Sequence, residues 1–246
     1  MKPDASRDEI LRRVRTAVAN PALAADRGRP QVAGASGPHS RGLLTRWQEE
    51  FAALGGHAHG PVTLAADFGE FSRAASAQTL ALLAARGVTR VTAWEDHALP
   101  VADLSLTLTA AGIEVIHTGQ QTQADADFGG LSRAASRAAL AQAQIGITAA
   151  LAGLADSGSV VVVSGPGQAR ATSLVPPIYL AFLRTTDIYA DLPTWMASQG
   201  AGLLARQANL TIITGPSRTA DIELTLVVGV HGPGEIHVIL IDPEES

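Results

Sequence analysis

Apolar and polar positions recur along this chain with two periods, and the change from one to the other marks out its elements. Leu43, Leu44, Trp47, Phe51 and Leu54 recur at helical spacing and share one side of a helix that Gly55-Gly56 ends. A helix is predicted over Phe68–Arg86, stopped by Gly87, and a strand over Val88–Trp94. A further helix over Val101–Ala111 is closed by Gly112, and a strand follows over Ile113–His117. Gln142–Thr148 is a strand or the end of the helix before it. This alternation of helix and strand is the pattern of parallel βα units.

A continuous apolar run, Val160–Val163, is bounded by Asp156-Ser157-Gly158-Ser159 and Ser164-Gly165-Pro166-Gly167. A short run of β-branched residues between turn signals reads as a strand buried on both faces, in the middle of a sheet covered by helices. Tyr179–Leu183 is a further apolar run, and Pro176-Pro177 makes the link before it extended. A helix is expected over Leu192–Ala205, with strands over Leu210–Thr214, Leu224–Val230 and Val238–Ile241. FSRAAS at Phe71–Ser76 and LSRAAS at Leu131–Ser136 each open an alanine-rich helix, with a polar loop, Gln120–Gly130, before the second.

Upstream, Asp4–Ala19 patterns as a helix, with Ser6 and Glu9 in capping-box positions. Gly28–Ser40 is rich in Gly, Pro and Ser and reads as a linker. The expected organisation is therefore a helix and linker over 1–40 and a single α/β domain over 41–246. The first helix packs on its own domain, on a partner or on a second copy of the chain.

Composition narrows the function. Among 246 residues 46 % are hydrophobic and only 4 % aromatic, which suits alanine-rich helices on a Val/Ile sheet. The net charge of −5, with no basic block, argues against a nucleic-acid binder. There is no cysteine, so this chain offers no thiolate for a disulfide, a zinc site or an iron–sulfur cluster. Neither a signal-peptide pattern nor an apolar run of about 20 residues occurs, and a soluble cytoplasmic protein is expected.

Four loops carry the candidate chemistry. In the first, Asp156 is a potential general base or nucleophile, beside a nest of amides and hydroxyls from Ser157, Gly158 and Ser159. A tight turn with Gly158 at positive φ explains the same residues. In the second, Arg170 and Ser173 follow Gly165-Pro166-Gly167; the arginine suits a carboxylate or phosphate, and a solvated surface arginine explains the same residue. In the third, GPSRTADIE, Ser217, Arg218 and Thr219 precede a possible helical turn, and Asp221 and Glu223 add two acids; the set suits a polar ligand or a cation, and helix capping by Ser217 or Thr219 is the ordinary explanation. In the fourth, His231 stands beside Gly232-Pro233-Gly234 as the best-placed histidine for acid–base work, or as an ordinary surface residue of a turn. His57 and His59 alternate on a short strand or loop and can bind a metal; exposed loop histidines are the plainer reading, and no metal-ligand set is assigned. Asp156, Glu223 and His231 are thus the catalytic candidates. Phosphate-loop, dinucleotide and nucleophile-elbow motifs are absent.

Taken together, GITAALAGLADSGSVVV, the downstream Arg170, Ser173 and Pro176-Pro177, GPSRTADIE and HGPGEIHVILI resemble the LUD-domain family and its lactate-utilisation members. The resemblance covers most of the chain. It implies a layered α/β fold like the phosphosugar isomerase and CoA-transferase group (NagB/RpiA-like), with a mostly parallel central sheet. It also implies a role in oxidising L-lactate to pyruvate, as a subunit without a redox cofactor of its own beside two partners that carry iron–sulfur clusters. Family members often have Glu-Thr-Gly where this chain has Asp156-Ser157-Gly158, a shorter acid in the same place. The alternative is a stand-alone enzyme or sensor for a phosphosugar-, CoA- or carboxylate-type anion.

Overall fold

A computed structural model describes residues 41–63, 68–117, 133–204, 209–220, 226–228 and 231–242. All lie within the unit Ser36–Ser246. The helix expected over Asp4–Ala19, the linker after it and the polar loop 120–130 fall outside the described residues.

The chain begins with helix α1 (Arg41–Ala53), strand β1 (His57–Thr63), helix α2 (Phe68–Ala85), strand β2 (Arg90–Ala93), helix α3 (Leu104–Ala110) and strand β3 (Glu114–His117). Helix α4 (Arg133–Gln142) leads into β4 (Ile145–Ala149), which settles the reading of 142–148 as a strand after a helix. Then come β5 (Ala152–Leu154), β6 (Ser159–Ser164), a 3-10 turn at Arg170–Ser173, β7 (Ile178–Arg184) and β8 (Ile188–Tyr189). Helix α5 (Leu192–Trp195) continues through a π-turn, Met196–Gly200, into α6 (Ala201–Leu204). Strands β9 (Asn209–Ile213), β10 (Arg218–Ala220), β11 (Leu226–Val228) and β12 (Glu235–Asp242) complete it.

Six strands form the main sheet in the order β1-β12-β7-β4-β2-β3, every neighbour parallel. Its central strands are apolar on both faces, because both are covered: Tyr179–Leu183 and Val238–Ile241 are buried throughout. The chain leaves β2 towards β3 but leaves β4 towards β7. Right-handed crossovers in these two directions lie on opposite faces. Helices α2 and α3 pack together along one route, while β5 and β6 belong to the other.

The Val160–Val163 run is a buried strand, as expected, but its place differs from the expectation. It lies in a second sheet, β8-β5-β6-β9, antiparallel to both its neighbours. The turn Asp156–Gly158 is too short for the crossover that a parallel pair requires. Its alternate residues serve two cores. Val160 and Val162 join the main core with Trp47 and Leu183, and Val161 joins a smaller one with Trp195 and Tyr189.

Helix α1 ends as its glycines predict. Gly55 adopts φ 89°, its N–H bonds to Ala52 O at 2.9 Å and that of Gly56 to Phe51 O at 2.9 Å, a Schellman ending. The expected helical turn after Ser217 is instead β10, which pairs antiparallel with β11, Arg218 opposite Val228. The β-branched run after it supplies a partner strand, and that pairing satisfies backbone groups that a helical turn would have satisfied locally.

Candidate functional site

Adjacent strands β2 and β4 send the chain in opposite directions, so a crevice opens at their C-terminal ends, the position where open α/β sheets take ligands. A cavity of about 260 Å³ lies there. Its lining includes Trp94 and His97 beyond β2, Ala150 beyond β4, Gln168, and Arg184 and Asp187 at the end of β7.

Each wall has a local cause. Trp94 continues β2, its N–H bonded to Ile147 O at 3.1 Å and its Nε1–H to Ala169 O at 3.2 Å. The Glu95 N–H bonds to Gly167 O at 3.1 Å, which draws the Gly-Pro-Gly loop over the strand end. Gly167 sits at φ 72°, a conformation that favours glycine, and a Cβ there would lie 2.9 Å from His97 Cε1 and push that ring aside. The opposite wall follows β4, where the Ala150 N–H reaches Phe182 O at 2.8 Å and the Leu151 N–H reaches Val161 O at 2.7 Å. The crevice thus offers a guanidinium, an imidazole, an amide and a carboxylate around an apolar floor that includes Phe182 and Val163. Such a set suits a small carboxylate with a further polar group.

Of the sequence-derived candidates, the second loop reaches this crevice through Gln168. Arg170 is exposed, and Ser173 is buried with its Oγ–H donating to Arg170 O at 3.1 Å within the 3-10 turn.

The other three loops meet at the opposite, N-terminal end of the main sheet's strands. Asp156 is exposed there, and the Ser157 hydroxyl donates to its Oδ1 at 3.0 Å. Ser159 Oγ lies 2.9 Å from Ser157 Oγ and 2.7 Å from Thr214 Oγ1. Gly158, at φ 57°, lies against α1, where a Cβ would come within 2.4 Å of Phe51 N. The Arg218 guanidinium donates to Leu54 O, at the C-terminal end of α1. The Ser217 N–H bonds to Pro233 O at 2.8 Å, and the Gly234 N–H to Pro177 O at 2.9 Å, so the third and fourth loops are tied together below β7. Thr219 pairs with Val227 in the β10–β11 ladder. Asp221 and Glu223 lie outside the described residues. His231 is exposed. From Ser159 to Val163 along β6 is about 13 Å, so this loop cluster and the crevice occupy opposite ends of the strand.

Sequence reasoning passed over Trp94, His97, Arg184 and Asp187. A signal was present: each stands at or just beyond the C-terminal end of a strand in the parallel sheet. It also passed over His237, which is 1 % exposed and sits on β12 directly opposite His57 of β1.

Comparison with known proteins locates this fold. The sequence model of a family described as LUD domain matches residues 71–241. A protein named lactate utilization protein C from Macrococcus caseolyticus is 40 % identical over 105 residues, covering 41 % of this chain and 45 % of that protein. Its namesake from Halalkalibacterium halodurans is 42 % identical over 108 residues, covering 41 % and 45 %. These matches span less than half the length of either relative. A crystal structure of a DUF162 family protein from Deinococcus radiodurans superposes with TM-score 0.51 at 18 % identity, over 83 % of this chain and 99 % of that one.

Proposed function

The chain belongs to the LUD domain family, and from that premise we propose that it serves in lactate utilisation, with the β2–β4 crevice as its site for a small carboxylate. In this reading the protein is a cytoplasmic subunit that works beside iron–sulfur partner proteins in oxidising L-lactate to pyruvate. Having no cysteine, it supplies no thiolate ligands for such clusters itself. Its own part is to hold the acid or its oxidation product. Arg184 takes the carboxylate, while His97 or Gln168 bonds the 2-oxygen, and the apolar floor accepts the methyl group.

The observation that carries the reading is this small crevice, with Arg184 in its lining, at the switch point of a chain related to proteins named for lactate utilisation. A cavity of about 260 Å³ is scaled to a metabolite of a few heavy atoms and would leave most of a coenzyme A molecule outside.

Two experiments test it together. Deletion of the gene should abolish growth on L-lactate, and the wild-type chain should restore it. Calorimetric titration of the purified protein with L-lactate and pyruvate should detect binding that Arg184→Ala weakens. Growth on lactate that survives deletion, in a strain with no other lactate oxidase, overturns the pathway. Binding of phosphosugars or CoA esters in place of both acids moves the site to the anion-enzyme or sensor reading.

A further inference from the structure

Away from the crevice, the pairing of β1 with β12 gathers four titratable side chains on one sheet face. His57 and His59 are two apart on β1 and so point the same way, and His237 is the register partner of His57. Glu235, two residues before His237, shares its face. The His57 ring stacks on His237 with centroids 4.9 Å apart, and His59 does so at 5.1 Å. His59 Nε2 lies 2.8 Å from His237 Nδ1. The other nitrogen of His237, Nε2, lies 2.6 Å from Glu235 Oε1, which also accepts from Arg86 Nε at 2.8 Å.

We propose that His57, His59 and His237 form a binding site for a first-row divalent cation, zinc foremost, reached from the exposed edge strand β1. Three imidazoles with an open fourth position are a ligand set that zinc uses. Glu235 supplies what such a site needs behind its ligands. As a carboxylate it accepts the His237 Nε2–H, which leaves the Nδ1 lone pair facing His59. Arg86 in turn holds Glu235 and balances its charge.

Coordination asks for three small rearrangements. Two nitrogens on one tetrahedral zinc stand about 3.3 Å apart. The His59–His237 pair therefore has to open by roughly half an ångström, with the His59 proton moving to its outward nitrogen. No three donors among the described residues already converge on one point, since His57 lies flat on its neighbour. His57 is exposed, so turning it about its two side-chain bonds meets solvent and not the core.

The test uses the full chain at neutral pH, titrated calorimetrically with Zn²⁺ and, in parallel, with Co²⁺ followed by visible absorption. One equivalent per chain is expected, with the intense cobalt band of a tetrahedral nitrogen site. His57→Ala, at an exposed position, and His59→Ala, at a half-buried one, should each weaken Zn²⁺ binding at least about tenfold. Glu235→Gln should weaken it about 10–100-fold through His237. His231→Ala, exposed and outside the cluster, should leave it unchanged. Absence of stoichiometric uptake by the wild type, or uptake that survives either His57→Ala or His59→Ala, overturns the site.

Discussion

The indole Nε1–H of Trp47 donates to the backbone carbonyl of Ser159 at 3.0 Å, in a fully buried contact 112 residues apart in sequence. It fastens α1 to the first residue of β6 and so joins the main sheet's core to the second sheet. Trp47→Phe keeps most of the apolar contact but leaves that carbonyl without its donor. A loss of about 1–3 kcal/mol in unfolding free energy is expected from urea denaturation. Trp47→Ala should cost more, about 3–5 kcal/mol, because a cavity is added.

Gly158 and Gly87 have similar backbone angles, φ 57° and φ 61°, but different surroundings. An added Cβ meets Phe51 N at 2.4 Å at the first, and nothing within 4 Å at the second. Gly87→Ala should cost only the left-handed conformation, about 1–2 kcal/mol. Gly158→Ala should cost roughly 2–4 kcal/mol, since the turn must also move away from α1. Equal losses in thermal or chemical unfolding would remove the packing argument for the Asp156–Ser159 loop.

Arg184 and Arg218 separate a binding role from a structural one. Arg184→Ala should weaken a small carboxylate about 10–100-fold, the scale of a charge-assisted hydrogen bond, with little change in melting temperature. Arg218→Ala should leave that affinity alone and lower stability by a few tenths to about 1 kcal/mol, because its guanidinium meets the carbonyl end of α1. Calorimetry and thermal unfolding of the two variants check both halves.

The histidine cluster gives stability a pH dependence of known sign. Burial lowers His237 from 6.5 to about 4 against the opposing pull of Glu235. It lowers His59 too, with help from His57 and Arg86. Burial alone would raise Glu235, but hydrogen bonds from Arg86 and His237 bring it below its usual range. The unfolded chain therefore binds protons that the folded one refuses. Stability should fall as pH drops from 6.5 towards 4, and Glu235 adds a loss of the same sign below its unfolded value of 4.5. His237→Gln should flatten the slope between pH 6.5 and 4 in denaturation measured at several pH values.

Much of the architecture is local in origin and was legible for that reason. Helical stripes ended by Gly55, Gly87 and Gly112 and the βα alternation need only neighbouring residues to be read. Glycine at positive φ in the Asp156–Ser159 turn was legible on the same ground, though not the helix backbone that makes it necessary.

Pairing between distant segments decided the rest. The apolar run of β6 has the same appearance whether its neighbours are parallel or antiparallel, so its sheet could not be read from it. The polar loops drew notice because they are dense in donors and acids, and three of the four tie loops and helix ends together. The crevice is assembled from the ends of β2, β4 and β7, with one polar side chain here and another there, so no single stretch announces it. His237 hides inside an apolar strand, and its meaning comes from His59, 178 residues away. The sequence by itself determined which segments become helices and strands, because local periodicity and backbone sterics set those. Only the tertiary structure decided which strand ends and which histidines meet, because register and sheet order depend on the burial of all the faces at once.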